Sequence, residues 1–241
     1  MAAKNTKTTV AVVASVVVVA AVAVIGFRRV DSPRRAQAEG RQEIDQHLAA
    51  PVDMTMSYTT PASRLDQITQ FPAWKAVPRG FQTFDNVPFK IGGMICLWGG
   101  GNAKAGLVFP EQLEGIEVKQ KFETLYVYHA AFYGAPAGTT VYSVVFRYQD
   151  GSAATNQICY GTDVLDWYSP RTSGNIGPTG PRSRLAWHGQ AESGQPLRFC
   201  ITAVENPQPS MEVETIDLYS CKHQPAACVM AMTPGKAGLM K

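Results

Sequence analysis

The chain has 241 residues, of which 45% are hydrophobic and 17% are charged, a length and composition that suit one globular domain with a sizeable core. Its net charge of +3 comes entirely from residues 1–50, which hold seven Lys/Arg and four Asp/Glu, whereas residues 51–241 hold fifteen of each sign. A nucleic-acid-binding domain carries a basic excess in its folded part, so this balance argues against a nucleic-acid partner.

An uncharged apolar run occupies residues 9–27, after a short basic tail at residues 1–8. At 1.5 Å per helical residue the run spans about 28 Å, close to the hydrocarbon thickness of a bilayer. A cleaved signal peptide is the alternative, with Ala36-Gln37-Ala38 as the cleavage site, but four arginines intervene between the run and that site. The sequence therefore predicts a retained transmembrane helix with the lipid bilayer as its partner.

The charges that flank the run leave its orientation open. Arginines after the run favour a cytoplasmic C-terminal side, whereas a basic tail before an apolar run is typical of an exporting signal-anchor. We expect a single-pass membrane protein with an extracytoplasmic globular domain. The polar tether at residues 28–50 has few apolar residues to bury, so a short surface helix and disorder both remain open for it.

Residues 51–235 form the predicted globular domain, followed by a tail at residues 236–241. Short segments rich in aromatic and β-branched residues alternate there with Gly/Pro turns, and only residues 62–70 favour a helix. The turn Gln149-Asp150-Gly151-Ser152 predicts a hairpin. The predicted strands lie at residues 125–133, 139–148, 154–160, 197–204, 211–220 and 228–233. This spacing predicts an all-β fold, an antiparallel sandwich or jelly roll.

Several short motifs follow one another in a recognisable order. They are Trp74–Gly80 (WKAVPRG), Phe84–Ile91 (FDNVPFKI), Leu125–Ala130 (LYVYHA), Phe146–Ser152 (FRYQDGS), Asp166–Tyr168 (DWY), Ala186-Trp187 and Glu205–Pro209 (ENPQP) before Ile216-Asp217. This ordered set resembles the galactose-binding-like β-sandwich modules appended to bacterial surface proteins and glycoside hydrolases. The resemblance covers about residues 51–235 and implies an eight-stranded jelly roll that binds glycans or proteins and is not catalytic. Two features depart from it: Tyr168 stands where a second Trp is common, and Gly99–Gly101 has no place in the pattern.

Aromatic, acidic and basic residues concentrate between residues 166 and 184. A sugar ring packs its C–H face on an aromatic plane, while its hydroxyls need directional polar partners. The sequence offers both in one stretch, and the candidate ligand-binding residues are Trp167, Tyr168, Asp166, Arg171, Arg182 and Arg184. In the alternative interpretation Trp167 fills the edge of the core and the Gly/Pro/Arg-rich loop is simply mobile.

The usual catalytic patterns are missing from the sequence, which has no G-x-S-x-G, H-E-x-x-H or phosphate-cradling glycine motif. His129 lies in a predicted strand, where we expect a hydrogen-bonded structural histidine rather than a base. Carboxylates for glycoside hydrolysis are available, but the separation that defines such a pair is not readable from sequence. We therefore predict a module that is not an enzyme, with an orphan hydrolase as the less favoured alternative; its carboxylates would come from Glu111, Glu114, Glu117 and Asp150.

The chain has five cysteines, so at least one remains unpaired or pairs between chains. Cys221 and Cys228 bracket a turn and form the candidate disulfide of an exported domain, provided that their Cα atoms lie within about 7 Å. Zinc binding through these two and His223 lacks a fourth ligand. Calcium is common in related jelly rolls, and Asp150, Asp163 and Asp166 could supply its oxygen ligands, but turn capping explains these residues equally well. We therefore predict no cofactor and assign no metal.

Two functions follow from these expectations. The first is a membrane-anchored binding module that recognises carbohydrate at the cell envelope. The second is a structural or protein-interaction sandwich that contacts an envelope protein. A glycan binder should expose a planar aromatic beside polar partners on a concave surface, whereas an interaction module should expose a wider apolar patch or a free sheet edge.

Overall fold

A computed structural model describes residues 50–65, 72–168 and 176–241. The basic tail, the predicted transmembrane helix at residues 9–27, nearly all of the tether and Arg171 lie outside these ranges. No helix among the described residues is long and apolar enough to cross a bilayer.

The described residues form twelve strands and three short helical segments. The helical segments are α1 Ala62–Leu65, a 3-10 helix at Pro72–Ala76, and α2 Gly100–Lys104. The strands are β1 Thr60–Pro61, β2 Gly80–Phe84, β3 Val87–Ile91, β4 Gly93–Cys96, β5 Gln112–Gln120, β6 Thr124–Phe132, β7 Thr140–Tyr148, β8 Ala153–Cys159, β9 Ser183–Gln190, β10 Pro196–Glu205, β11 Val213–Ser220 and β12 Ala226–Gly235.

The strands build two antiparallel sheets and a separate hairpin. The larger sheet has six strands in the order β1-β4-β12-β6-β10-β9, the smaller has four in the order β5-β11-β7-β8, and β2 pairs with β3. Aliphatic residues from both sheets meet in one core, with Val127 and Val229 on one side and Val144 and Ile216 on the other. The prediction of an all-β antiparallel sandwich is confirmed.

A second core covers the outer face of the six-stranded sheet. The β2–β3 hairpin contributes Val87, Phe89 and Ile91, and the 3-10 helix contributes Trp74. These side chains pack on residues such as Tyr128 and Phe199 of the sheet below. Because both faces of the sheet are covered, all nine residues of β6 are buried.

The six predicted strands are found, with boundaries that shift by at most two residues. Strands β1 to β5 and β9 were missed; β1 has only two residues, β3 contains Pro88, and β5 contains Gly115 at φ 75°. The hairpin turn at residues 149–152 is also found, with Gly151 at φ 83° and the Ser152 amide donating to Asp150 Oδ1 at 2.9 Å.

The Gly99–Gly101 run has a packing reason. A Cβ at Gly99 would lie 2.7 Å from the Ala226 backbone nitrogen, and one at Gly101 would overlap the ring of Tyr133. Gly100 is less crowded, with its nearest neighbour 3.6 Å away. The run therefore lets the chain pass close to the start of β12.

Candidate ligand-binding groove

A groove of about 540 Å³ opens at one end of the sandwich, where β8 of the smaller sheet faces the ends of β6 and β10 of the larger sheet. This volume lies in the range of small-molecule sites in proteins. We call it the intersheet groove. Its lining residues are Glu123, Thr124, Asn156, Arg182, Ala203, Glu205, Asn206, Pro209, Ala237 and Gly238.

Arg182 is held in the groove wall by a two-pronged ion pair. Its Nε and Nη2 donate to Asp163 Oδ1 and Oδ2, both at 2.8 Å, and Nη2 also donates to the Gln157 carbonyl at 2.7 Å. Burial by itself raises the pKa of Asp163, but the Arg182 and Cys159 hydrogen bonds outweigh it and hold that pKa below its usual value. The ion pair is therefore formed at neutral pH, and its fork geometry fixes the guanidinium before any ligand arrives.

A chain of buried hydrogen bonds lies behind this ion pair. Thr202 Oγ1 donates to the Asp163 carbonyl at 2.9 Å and lies 2.8 Å from His129 Nε2. The other ring nitrogen, Nδ1, lies 2.7 Å from the Tyr142 hydroxyl. One arrangement satisfies every group: Tyr142 donates to Nδ1, and Nε2–H donates to Thr202. Ser183 Oγ joins the chain at 2.9 Å from Thr202 Oγ1.

His129 has no access to solvent, with an exposed fraction of 0%. Burial lowers its pKa to about 3, so the ring is neutral at physiological pH. A histidine with no access to solvent cannot contact a substrate as a catalytic base. The interpretation of His129 as a structural histidine is confirmed. Its role is to join β6, β7 and β10 beneath the Asp163 carboxylate.

The two asparagines of the groove differ in their hydrogen bonding. Asn206 is 2% exposed and saturated: Oδ1 accepts from the Tyr148 hydroxyl at 2.6 Å, and Nδ2 donates to the Phe122 carbonyl at 2.8 Å. Asn156 Nδ2 is buried and has no hydrogen-bond partner among the described residues. An unsatisfied buried donor costs about 1–3 kcal/mol, so Asn156 gains most from a ligand that supplies an acceptor.

The charge of the groove is negative. Glu123 Oε2 accepts from the Ala237 amide at 2.9 Å, and Glu205 is exposed at the end of β10. Asp163 neutralises the charge of Arg182, and the other lining residues that the structure describes supply no positive charge to compensate these two carboxylates. The groove thus offers fixed donors and acceptors to hydroxyl groups while repelling anions.

Trp167 does not present the free aromatic face that its predicted role requires. It is 1% exposed, and its ring stacks on Trp74 at 4.7 Å between centroids. The alternative interpretation, a tryptophan within the core, describes its position. The Tyr168 ring lies 4.4 Å from the Trp167 ring between centroids, and Tyr168 is only partly exposed.

The other predicted residues are divided between different places. Asp166 is partly buried, accepts from the Tyr168 amide at 3.2 Å, and has its pKa raised by burial to about 6. Arg184 is exposed and donates to the Pro181 and Ser183 carbonyls of its own segment. Of the predicted residues that the structure describes, only Arg182 lines the intersheet groove.

Sequence analysis missed Asn156, Glu123 and Glu205. One signal was present for Asn156: it occupies an inward-facing position of β8 between Ala154 and Ile158, where the alternation calls for an apolar side chain. The two glutamates carry no such signal. They come together because β6 begins and β10 ends at the same edge of the larger sheet.

The predicted Cys221–Cys228 disulfide is not found, since both thiols are free. Cys221 follows β11 in the smaller sheet, with Sγ 3.8 Å from Ser143 Oγ. Cys228 lies in β12 of the larger sheet and belongs to the second core, on the face turned away from the smaller sheet. The turn between the two residues leads from one sheet to the other instead of closing a hairpin.

The acidic residues considered for calcium have other partners. Asp150 accepts from the Ser152 amide and hydroxyl, as turn capping predicts, and Asp163 binds Arg182. Within the described ranges, no group of three or more His, Cys, Asp or Glu side chains is arranged to hold a metal ion.

Comparison of the chain with family models, curated proteins and solved structures finds no match. The likeness to galactose-binding-like modules therefore rests on the sequence motifs alone, and the function has to be argued from the geometry of the groove.

Proposed function

We propose that this chain is a non-catalytic binding module that holds a neutral, polyhydroxylated carbohydrate in the intersheet groove. The observation that carries the proposal is the combination of a pre-positioned guanidinium, Arg182, with an unsatisfied amide donor at Asn156. Both belong to the lining of one groove of about 540 Å³.

Sugar hydroxyls suit this lining because each hydroxyl both donates and accepts. Arg182 and Asn156 Nδ2 supply donors, and the carboxylates of Glu123 and Glu205 supply acceptors. Ala203, Pro209 and Ala237 supply small apolar surfaces for the C–H groups of a sugar ring. The described lining residues include no aromatic side chain, so recognition by hydrogen bonds replaces the stacking expected at Trp167.

The carboxylates of Glu123 and Glu205 disfavour ligands that carry negative charge. A uronic acid, sulfate or phosphate group would meet like charge in the groove, whereas a neutral or amino sugar would not. We therefore infer selectivity for neutral or cationic glycans over acidic ones.

The setting of the module follows from the sequence. The apolar run at residues 9–27 would anchor the chain in a bilayer and place the domain outside the cytoplasm, against envelope polysaccharide. A galactose-binding-like jelly roll is the arrangement that we propose within the antiparallel sandwich.

The test uses the full-length chain in detergent on an array of neutral, amino and acidic oligosaccharides. We expect binding to neutral or amino glycans, weakened about tenfold by Asn156→Ala, which removes a donor, and by Glu205→Gln, which replaces one acceptor oxygen of the carboxylate with an amide donor; each lost hydrogen bond is worth about 1–1.5 kcal/mol. Glu214→Gln is the matched control, because Glu214 is exposed on β11 outside the groove. Thermal unfolding of each variant verifies its fold.

A preference for acidic glycans, or equal binding by the parent chain and both groove variants, would contradict the proposal. An array on which the parent chain binds nothing would overturn carbohydrate recognition and favour the alternative, a sandwich that contacts an envelope protein.

A further inference from the structure

Two of the free cysteines lie directly opposite each other on neighbouring strands. Cys96 ends β4, and its register partner on the antiparallel strand β12 is Cys228. Residues opposite each other in an antiparallel pair point to the same face of the sheet. Both cysteines accordingly belong to the second core, and both are 0% exposed.

The hydrogen bonds show which kind of pair this is. The Leu97 amide donates to the carbonyl of Ala227, the residue opposite it. Because the two kinds of pair alternate along antiparallel strands, the adjacent pair of Cys96 and Cys228 is a non-hydrogen-bonded one. The Cys96 amide confirms this, because it donates to Thr59 Oγ1 at 2.8 Å and so points away from β12.

Non-hydrogen-bonded pairs have Cα atoms about 4.5 Å apart, with their side chains close together. This spacing falls inside the range of about 4.4–6.8 Å that a disulfide spans. The pairing of β4 and β12 is therefore compatible with a disulfide between the two cysteines, without rearrangement of the strands.

The position of the two cysteines in the sheet indicates which strand junction a disulfide would stabilise. Strands β4 and β12 share only two register pairs, whereas β12 and β6 share nine. A covalent link at residues 96 and 228 would secure a junction as short as the one between β1 and β4 at the edge of the larger sheet, and it would close a loop that contains most of the domain.

We propose that Cys96 and Cys228 form a cross-strand disulfide as the domain folds in an oxidising compartment. The oxidant is a small-molecule or protein disulfide, for example glutathione disulfide. One cysteine thiolate attacks it and releases one reduced thiol, and the second cysteine then attacks the mixed disulfide and releases another. Two protein thiols are oxidised, one external disulfide is reduced, and the two protons leave with the released thiols.

The bond has to form before the core closes. Burial raises the pKa of both thiols well above the usual value, so neither is a nucleophile in the folded state. Refolding in the presence of the oxidant, instead of treating the folded protein with it, is therefore the appropriate experiment.

The full-length chain is refolded with glutathione disulfide or with reduced glutathione, denatured, alkylated, digested and analysed by mass spectrometry. We expect a linked peptide pair containing Cys96 and Cys228 in the first sample only, with Cys200 alkylated in both. The oxidised protein should unfold at a urea concentration about 1–2 M higher than the reduced protein.

Cys96→Ala should abolish both the linked peptide and the difference in urea midpoint. Cys200→Ala, a control at an equally buried thiol of the same sheet, should retain both. Alkylation of Cys96 and Cys228 after oxidative refolding, or a link from Cys228 to Cys221, would overturn the proposal. The result does not depend on glycan binding, because neither cysteine lines the intersheet groove.

Discussion

The two sheets of the sandwich differ in how many of their faces are covered. The six-stranded sheet is covered on both faces, so β6 and β12 are buried along their whole length. The four-stranded sheet is covered on one face, and β8 alternates between exposed and less exposed residues for most of its length. The difference shows that the alternation of a strand reports how many of its faces are covered.

The outer faces of the two sheets differ in chemistry as well. On the larger sheet, Trp74 and Trp167 stack beneath the hairpin layer. On the smaller sheet, Arg147 Nε donates to Asp217 Oδ2 at 2.7 Å, and Tyr219 reaches the same carboxylate at 3.3 Å. We therefore expect substitutions on the outer face of the larger sheet to lower the free energy of unfolding much more than substitutions on the outer face of the smaller sheet.

The largest effect is expected at Trp167. Trp167→Ala removes a buried ring that contacts both Trp74 and Phe132, and we expect a loss of about 3–5 kcal/mol in the free energy of unfolding, measured by urea titration. A loss below about 1 kcal/mol would mean that the outer layer contributes little, and it would remove the contrast between the sheets.

Gly99 tests how tightly the end of the larger sheet is packed. Gly99→Ala places a methyl group against the backbone of Ala226, and we expect a loss of about 1–3 kcal/mol. Gly100→Ala is the matched control at the adjacent position, where the nearest atom would lie 3.6 Å from the new Cβ. Because alanine also favours the helix, the stability of this variant should be unchanged or slightly higher. Equal losses in the two variants would argue against this close packing.

The pH dependence of stability distinguishes two buried titratable groups. His129, between the sheets, has its pKa lowered from 6.5 to about 3 by burial, so it lowers stability as the pH falls through that window. Asp166, which precedes Trp167, has its pKa raised by burial from 3.8 to about 6, so it lowers stability as the pH rises from about 4 to about 6. The two slopes oppose each other between those limits.

Asp166→Asn removes the loss of stability that ionisation of Asp166 causes as the pH rises from about 4 to about 6. The free energy of unfolding should then rise more steeply between pH 4 and pH 6, and at pH 7 it should exceed that of the parent chain by about 1–3 kcal/mol. Urea titrations at several pH values give both quantities. An unchanged pH profile would show that Asp166 is not buried as the structure places it.

The smallest effect is expected on the outer face of the smaller sheet. Arg147→Ala breaks an ion pair whose arginine side chain is 46% exposed, while Asp217 keeps the Gly115 amide as a donor at 2.9 Å. We expect a loss of at most about 1 kcal/mol, reduced further by salt. A loss as large as that of Trp167→Ala would make the two faces equivalent.

The fold was more predictable than the site. Strands such as β7 and β11 carry long β-rich runs that end at Gly, Pro or Asn turns, and local sequence is enough to identify them. The intersheet groove joins β8, β10 and the start of β6, and among its described lining residues only Arg182 belongs to the candidate set. Trp167 was misread because a tryptophan in a polar loop looks exposed until Trp74, 93 positions earlier in the chain, is placed against it.

By itself, the sequence determined the charge-balanced domain, the apolar N-terminal run and the antiparallel β character, because these depend on composition and on neighbours along the chain. Only the tertiary structure decided which aromatic residues are covered, which cysteines face each other and where Arg182 meets Asp163. Those outcomes depend on strand order, since Cys96 and Cys228 become partners only when β4 and β12 lie side by side in the same sheet.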